Sequence, residues 1–402
     1  MFSFLLLLFS SLNFSNSNDS MLLPTRILPV FLSFFISCSS LLYLGTFRNS
    51  NKYFSKAVIS PFTLFYLIFL IFNSLAGVFN GVSVDWILWK NFELLTGVLW
   101  IIVFSILYHK KIVNNLVEKV SLLLFIFILS ICTYEIYFLL KTHSFLNLFL
   151  NVRPELMLPR INPIKLSIFA IFITVYSVIK LKDKKLIWWF FIFFGLFLLI
   201  VSKSRTGFLI LLLYFFYEQF IFSKIFFIRI IIFSSIFSIS LIFFNNQISD
   251  LATIMRIDNL ESLSDGSGRI SSQDSSEISS WGESLSLIAD NPAFGIGNVN
   301  AKRFLSNKEK SVDNFILQNF LAGGFFGGVL LSFWAFFKFP FSFWRYFINN
   351  KEKYKNFKIR FSNLILMIFF VKSFTTNGAS FFGFEFLFLA ISYTIFDRFK
   401  NE

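Results

Sequence analysis

Apolar runs of about 18 residues or more recur along nearly the whole chain, separated by short polar breaks, and that length lets a helix cross a hydrocarbon core. They predict spans near 28–47, 58–80, 86–108, 117–140, 163–181, 186–201, 207–222, 225–244, 313–337, 360–375 and 379–396. The opening MFSFLLLLFSSL is only about twelve residues long and has no basic n-region. It reads as a short first helix, with an interfacial segment or a poor signal peptide as alternatives. The runs lack the apolar and polar alternation of a barrel, and backbone in lipid must satisfy its own hydrogen bonds. The expected fold is therefore all-α: a polytopic transmembrane helical bundle of about 11–12 spans with one large external loop.

Composition agrees with this and adds little chemistry. The chain has 402 residues, 56% hydrophobic and 21% aromatic, with 64 Phe. The Phe excess goes with high Ile, Asn, Lys and Ser, a bias that an AT-rich coding sequence produces without any function behind it. Cys38 and Cys132 both lie inside apolar runs, which argues for packing rather than a disulfide or metal site. His109 and His143 are too isolated for a metal cluster, and neither a metal nor a cofactor is expected. The net charge of +14 is spread between the spans, so it follows membrane topology rather than a nucleic-acid partner.

Alternate loops hold the lysines: Lys52 and Lys56; Lys110, Lys111 and Lys119; Lys180 to Lys185; and Lys338 through Arg360. The positive-inside bias puts these in the cytoplasm. Facing outward are then 141–162, SKSRTG at 202–207, TTNG at 375–378, and the long segment 245–312, which holds nine of the 22 acidic residues. The chain divides into an N-terminal membrane bundle (1–244), a large periplasmic loop (245–312) and C-terminal membrane helices (313–402). Within the loop a Ser- and Asp-rich stretch precedes WGESLSLIAD, which reads as a short surface helix ended by Asn291 and Pro292. No internal repeat is visible.

SKSRTG is the break between two very apolar runs of about sixteen residues each, which reach ~24 Å against a hydrocarbon thickness of ~30 Å. The turn should sit at head-group depth. There Lys203 and Arg205 could meet a lipid-linked phosphate, which guanidinium grips in a bidentate way, or could simply snorkel to anionic lipid heads. Arg153, Arg160, Arg256 and Arg269 also face outward against the usual bias. Several together point to an anionic ligand, although each alone reads as a solvated charge.

These residues, in this order, resemble a family. A basic Ser-Arg turn after a span (SKSRTGFLILLL), an Arg in a large external loop (SGRIS), a Pro-x-x-Gly-x-Gly (NPAFGIG) and an Asn-anchored entry into a Gly-containing span (VDNFILQNFLAGGFFGGVLL) look like the O-antigen polymerase and ligase superfamily, the Wzy and WaaL type. The likeness is clearest over 186–337, with MLPRINP at 157–163 a weaker match. It implies a GT-C-like architecture in a bacterial inner membrane and a metal-independent glycosyl transfer on its periplasmic face. The donor would be a glycan on undecaprenyl pyrophosphate, with membrane lipids and a chain-length regulator as further partners. Carried over by motif, Arg205 and Arg269 look like pyrophosphate ligands and Arg160 a third; Lys203 and Asn314 are further expected substrate-binding residues. Ligases typically have a His where this chain has Asp313, which tilts the likeness toward a polymerase. Trp281 follows Arg269 at twelve residues, farther than in many relatives.

Asp313 could be the base that deprotonates an acceptor hydroxyl, or the N-cap of the helix that follows. Gly295-Ile296-Gly297 lacks the third glycine and preceding strand of a dinucleotide site and reads as a tight loop. Lys90 and Glu93 can pair on one helical face, as structure or as an intramembrane site; Glu135, Lys372 and Glu385 have no assigned role. Asp258, Glu261 and Asp265 do not have calcium-loop spacing. A lipid-linked oligosaccharide transporter is the rival class, but no repeat supports it. Within the enzyme class, ligation to lipid A core is the alternative to polymerisation.

Overall fold

A computed structural model describes residues 24–45, 60–81, 84–109, 115–142, 163–181, 185–202, 204–222, 280–297, 315–375 and 384–401. Among them there are helices and turns but no strand. In order these are α1 Pro24–Gly45, α2 Pro61–Phe79, α3 Val84–His109, α4 Leu116–Thr142, α5 Pro163–Lys180, α6 Ile187–Ser202, α7 Arg205–Phe222, α8 Ser280–Asp290 and α9 Phe315–Gly324. Two π turns, Phe325–Val329 and Trp334–Lys338, flank the single α turn Leu330–Phe333 and lead into α10, Phe339–Asn349. After one turn at Lys351–Tyr354 come α11 Phe357–Thr375 and α12 Phe384–Asn401. Nine of the eleven expected spans coincide with these helices; the expected 313–337 is interrupted after Gly324, and 225–244 and the opening twelve residues lie outside the described residues.

By length and composition, four stretches are apolar enough to cross a membrane: Leu28–Gly45, Pro61–Phe79, Leu116–Lys141 and Ile316–Asn349, the last of them interrupted at Gly324; Leu95–His109, Ile187–Ser202 and Thr206–Ile221 are shorter apolar helices. The outward faces are as apolar as the buried ones. On α6, Phe190 and Phe193 are each 64% exposed, an arrangement that suits hydrocarbon and would be costly in water. The helix starts follow capping rules. Ser60 Oγ accepts the Thr63 N–H at 3.3 Å, Pro61 occupies the first turn, and Gly81 leaves the far end with φ +68°.

The chain forms two compact units. The first comprises 1–124, 274–346 and 361–402. In it α3 and α12 come together at their C-terminal ends, where the Arg398 guanidinium donates to Tyr108 O at 2.6 Å and lies 4.7 Å from the Tyr108 ring, and Tyr346 donates to Phe399 O at 3.0 Å. His109 sits 3.6 Å from Asp397, beside a cavity of about 20 Å³ also lined by Ser60, Ser105 and Tyr393. These are ends that the lysine count assigns to the cytoplasm.

The second unit comprises 125–273 and 347–360. Its centre is α5, buried almost all round from Leu166 to Ile179. Glycines let its neighbours close in, the usual device where lipid offers no hydrophobic drive between helices. A Cβ on Gly195 of α6 would meet Thr174 Oγ1 and Ala170 O, and one on Gly207 of α7 would lie 2.6 Å from both Ser167 Cβ and Leu199 Cδ1. Cys38 and Cys132 are free thiols, half-buried and buried. Glu135 and Lys372 are both buried.

Candidate functional site

The first candidate element is the turn joining α6 to α7, inside the second unit. α6 is 16 residues long, about 24 Å, so it falls short of a full hydrocarbon crossing. It ends at Ser202, whose hydroxyl donates to Leu199 O at 2.6 Å. Ser204 then caps α7 with its carbonyl, which accepts the N–H groups of Gly207 at 3.2 Å and Phe208 at 3.4 Å. Arg205 is the first residue of α7; a cation there opposes the helix dipole, so an anion beside it would be doubly favoured.

The far end of α7 carries a group that sequence reading passed over. Glu218 is bound by Arg360 at two oxygens, with Nε to Oε1 at 2.7 Å and Nη2 on Oε2. Tyr214 and Tyr354 hydroxyls also donate to Oε1, at 2.8 and 3.3 Å. An acidic residue in an apolar run was the available signal. Its partner is not legible, because Arg360 reads as one more cytoplasmic cation.

The second element, in the first unit, corrects the expectation of one continuous span from 313 to 337. In a straight helix Asn319 and Ser332 would be about 20 Å apart. Instead Asn319 Nδ2 donates to Ser332 Oγ at 3.0 Å, and a methyl on Gly328 would overlap the Asn319 carbonyl. The chain folds back at Gly323-Gly324, and Gly324 has φ +57° and ψ −156°, which L side chains rarely adopt. α9 is therefore a half-helix of 10 residues, about 15 Å, half of a membrane crossing.

NPAFGIG closes this elbow. Irregular backbone at membrane depth needs partners from the protein, and the segment supplies them. Phe325 N–H donates to Pro292 O at 2.8 Å, Phe326 N–H to Ala293 O at 3.4 Å, and Ile296 N–H to Leu321 O at 2.6 Å. The loop is tight, as expected, because Gly295 and Gly297 both have positive φ. The tightness also serves a contact: a Cβ on Gly295 would lie 2.5 Å from Leu321 O, and one on Gly297 3.0 Å from Gly77 of α2. Ile296 and Leu321 form a small buried core with Leu287 and Ile288 of α8 and Leu317 of α9, so the expected surface helix is anchored by its apolar face.

The remaining candidates are located only by the chain. Lys203, Arg160, Arg269, Asp313 and Asn314 lie outside the described residues, as do Asp258, Glu261 and Asp265, and so does the side chain of Arg205. Asp313 and Asn314 immediately precede α9. Lys90 and Glu93 lie on α3, three residues apart; their side chains and that of Glu385 are also outside the described set. Among the described residues no group of three His, Cys, Asp or Glu side chains could hold a metal ion.

Apolar outward faces, helices of membrane-crossing length and the absence of strands among the described residues define a multi-pass, all-α membrane protein. Residues 190–332, from α6 through the turn, α8, NPAFGIG and the elbow, match the model of a family described as O-antigen ligase. This agrees with the O-antigen polymerase and ligase superfamily, whose members are glycosyltransferase-like enzymes; the match does not separate polymerases from ligases. None of the curated proteins and none of the solved structures compared with the chain matches it.

Proposed function

We propose that the chain polymerises oligosaccharide repeat units carried on undecaprenyl pyrophosphate, at the outer face of a bacterial inner membrane and without a metal ion. The observation that carries this reading is the family match over 190–332, which takes in the basic turn at the head of α7 and the elbow together. In the reaction an acceptor sugar hydroxyl forms a bond to the anomeric carbon of the donor glycan, and the bond from that carbon to the pyrophosphate oxygen breaks. The hydroxyl proton goes to Asp313. Undecaprenyl pyrophosphate leaves with added negative charge, which Arg205 and Arg269, with Arg160 as a third cation, stabilise because they are in place before the charge develops. Lys203 and Asn314 contact the substrate.

The family's printed description favours the second reading, transfer of the finished glycan to lipid A core; Asp313 in place of the ligase-type His favours polymerisation. Deleting the gene and resolving the glycans by size separates them. Single-repeat products accompany loss of a polymerase, and a lipid-linked polymer that is never transferred accompanies loss of a ligase. In the complemented strain, Arg205→Ala and Arg269→Ala abolish the ladder at normal membrane abundance, and Lys at either position restores it poorly because the bidentate grip is gone. A full ladder from Arg205→Ala removes the phosphate role of the turn.

A further inference from the structure

Ser204 is 6% exposed, and among the described residues its hydroxyl has no hydrogen-bond partner. A buried polar group left unpaired costs about 1–3 kcal/mol, so such a residue calls for a reason. Its neighbours avoid the cost: Ser167 donates to Ile164 O at 2.7 Å and Ser202 to Leu199 O at 2.6 Å. A serine at a helix start normally accepts a backbone N–H from the first turn, as Ser60 does at the head of α2. Ser204 holds the same position on α7 and makes no such bond; only its carbonyl is used, by Gly207 and Phe208.

The burial is built in. Gly207, one turn further on, brings α7 against Ser167 and Leu199 so closely that no side chain fits between them. The result is a hydroxyl enclosed at the N-terminus of an 18-residue helix. In any helix the first backbone N–H groups have no partner within the helix, and here those belong to Arg205 and Thr206. Two N–H donors, one uncommitted O–H donor and the positive end of a helix dipole therefore lie within the first turn of α7. That combination suits a phosphate oxygen and no cationic or apolar group.

We propose that Ser204 is a direct ligand of the lipid-linked pyrophosphate, its hydroxyl donating to a non-bridging phosphate oxygen beside the N–H groups of Arg205 and Thr206. This rests on the reading of the turn as the pyrophosphate site and adds a neutral, buried donor to its cations. The hydroxyl orients one phosphate, whereas the arginine supplies charge.

The test uses the full-length protein in lipid nanodiscs, with farnesyl pyrophosphate as probe and farnesyl phosphate and inorganic pyrophosphate as comparison ligands. Glycine keeps nearly all the capping value of serine, so Ser204→Gly removes the hydroxyl without unseating α7; Ser204→Ala and Ser204→Thr complete the set. Farnesyl pyrophosphate should bind about tenfold more weakly to the Gly and Ala variants, the scale of one hydrogen bond to a charged group. The Thr variant should bind within about threefold of wild type, and the Gly variant should melt no lower than wild type. Selectivity over inorganic pyrophosphate identifies the lipid-linked source; equal binding of the two leaves a phosphate site but not a lipid-linked one and overturns the proposal as stated. Unchanged affinity in Ser204→Gly, with binding lost in Arg205→Ala, means that the hydroxyl holds only a buried water, and sinks Ser204 alone. No binding of farnesyl pyrophosphate by the wild type sinks the pyrophosphate reading and Ser204 with it.

Discussion

Glu218 and Arg360 offer the sharpest test of how α7 is held. The two side chains are 10% and 7% exposed and joined at both carboxylate oxygens, with two tyrosine hydroxyls completing the shell. Replacing Arg360 with Met strips two charge-assisted donors and leaves a buried, partly satisfied carboxylate. Removing one partner of a buried pair costs about 3–5 kcal/mol, against about 0–1 kcal/mol if the pair were solvated. The double change Glu218→Leu with Arg360→Met removes both charges, and such replacements are close to neutral. It leaves Tyr214 and Tyr354 without their acceptor, at about 1–3 kcal/mol for each buried hydroxyl. Adding Tyr214→Phe, which removes the shorter of the two hydroxyl bonds, should recover part of that. The triple variant should then be more stable than the double variant and more stable than Arg360→Met, with wild type above all three. Reversible unfolding in mixed micelles, titrated with a denaturing detergent and followed by tryptophan fluorescence, gives the free energies. If Arg360→Met loses less than about 1 kcal/mol, or if the triple variant is no more stable than Arg360→Met, the pair is not a desolvated clamp.

Gly295→Ala and Gly324→Ala should each lower the melting temperature and the yield of folded protein, because they combine a positive φ with a Cβ placed against backbone and the conformation alone costs about 1–3 kcal/mol. Gly97→Ala in α3, where nothing lies within 4 Å of the added carbon, should be neutral or slightly stabilising; equal effects at all three positions in a thermal melt would refute the elbow's account. Asp313→Asn keeps a good helix cap but removes the base, so turnover on a lipid-linked substrate should drop by on the order of 10² or more at unchanged melting temperature. Near-normal turnover would make Asp313 a cap, and the base would then be sought among Asp258, Glu261 and Asp265.

The membrane character of this protein and the positions of its helices are written locally in the sequence. Hydrocarbon demands that each crossing segment satisfy its own backbone, so a long enough apolar run is already a helix. Ser60-Pro61 and Asn291-Pro292 mark a helix start and a helix end for equally local reasons. The motif order around SKSRTG and NPAFGIG was legible too, and a family match covers that stretch. What tertiary structure alone decided are the contacts between distant residues. Asn319 and Ser332 look like two residues of one rod until Gly324 turns the chain back, and the carbonyls that close the turn come from Pro292 and Ala293. Glu218 and Arg360 are 142 residues apart. No period in the sequence connects them, because a buried charge pair depends on which helix ends meet in space.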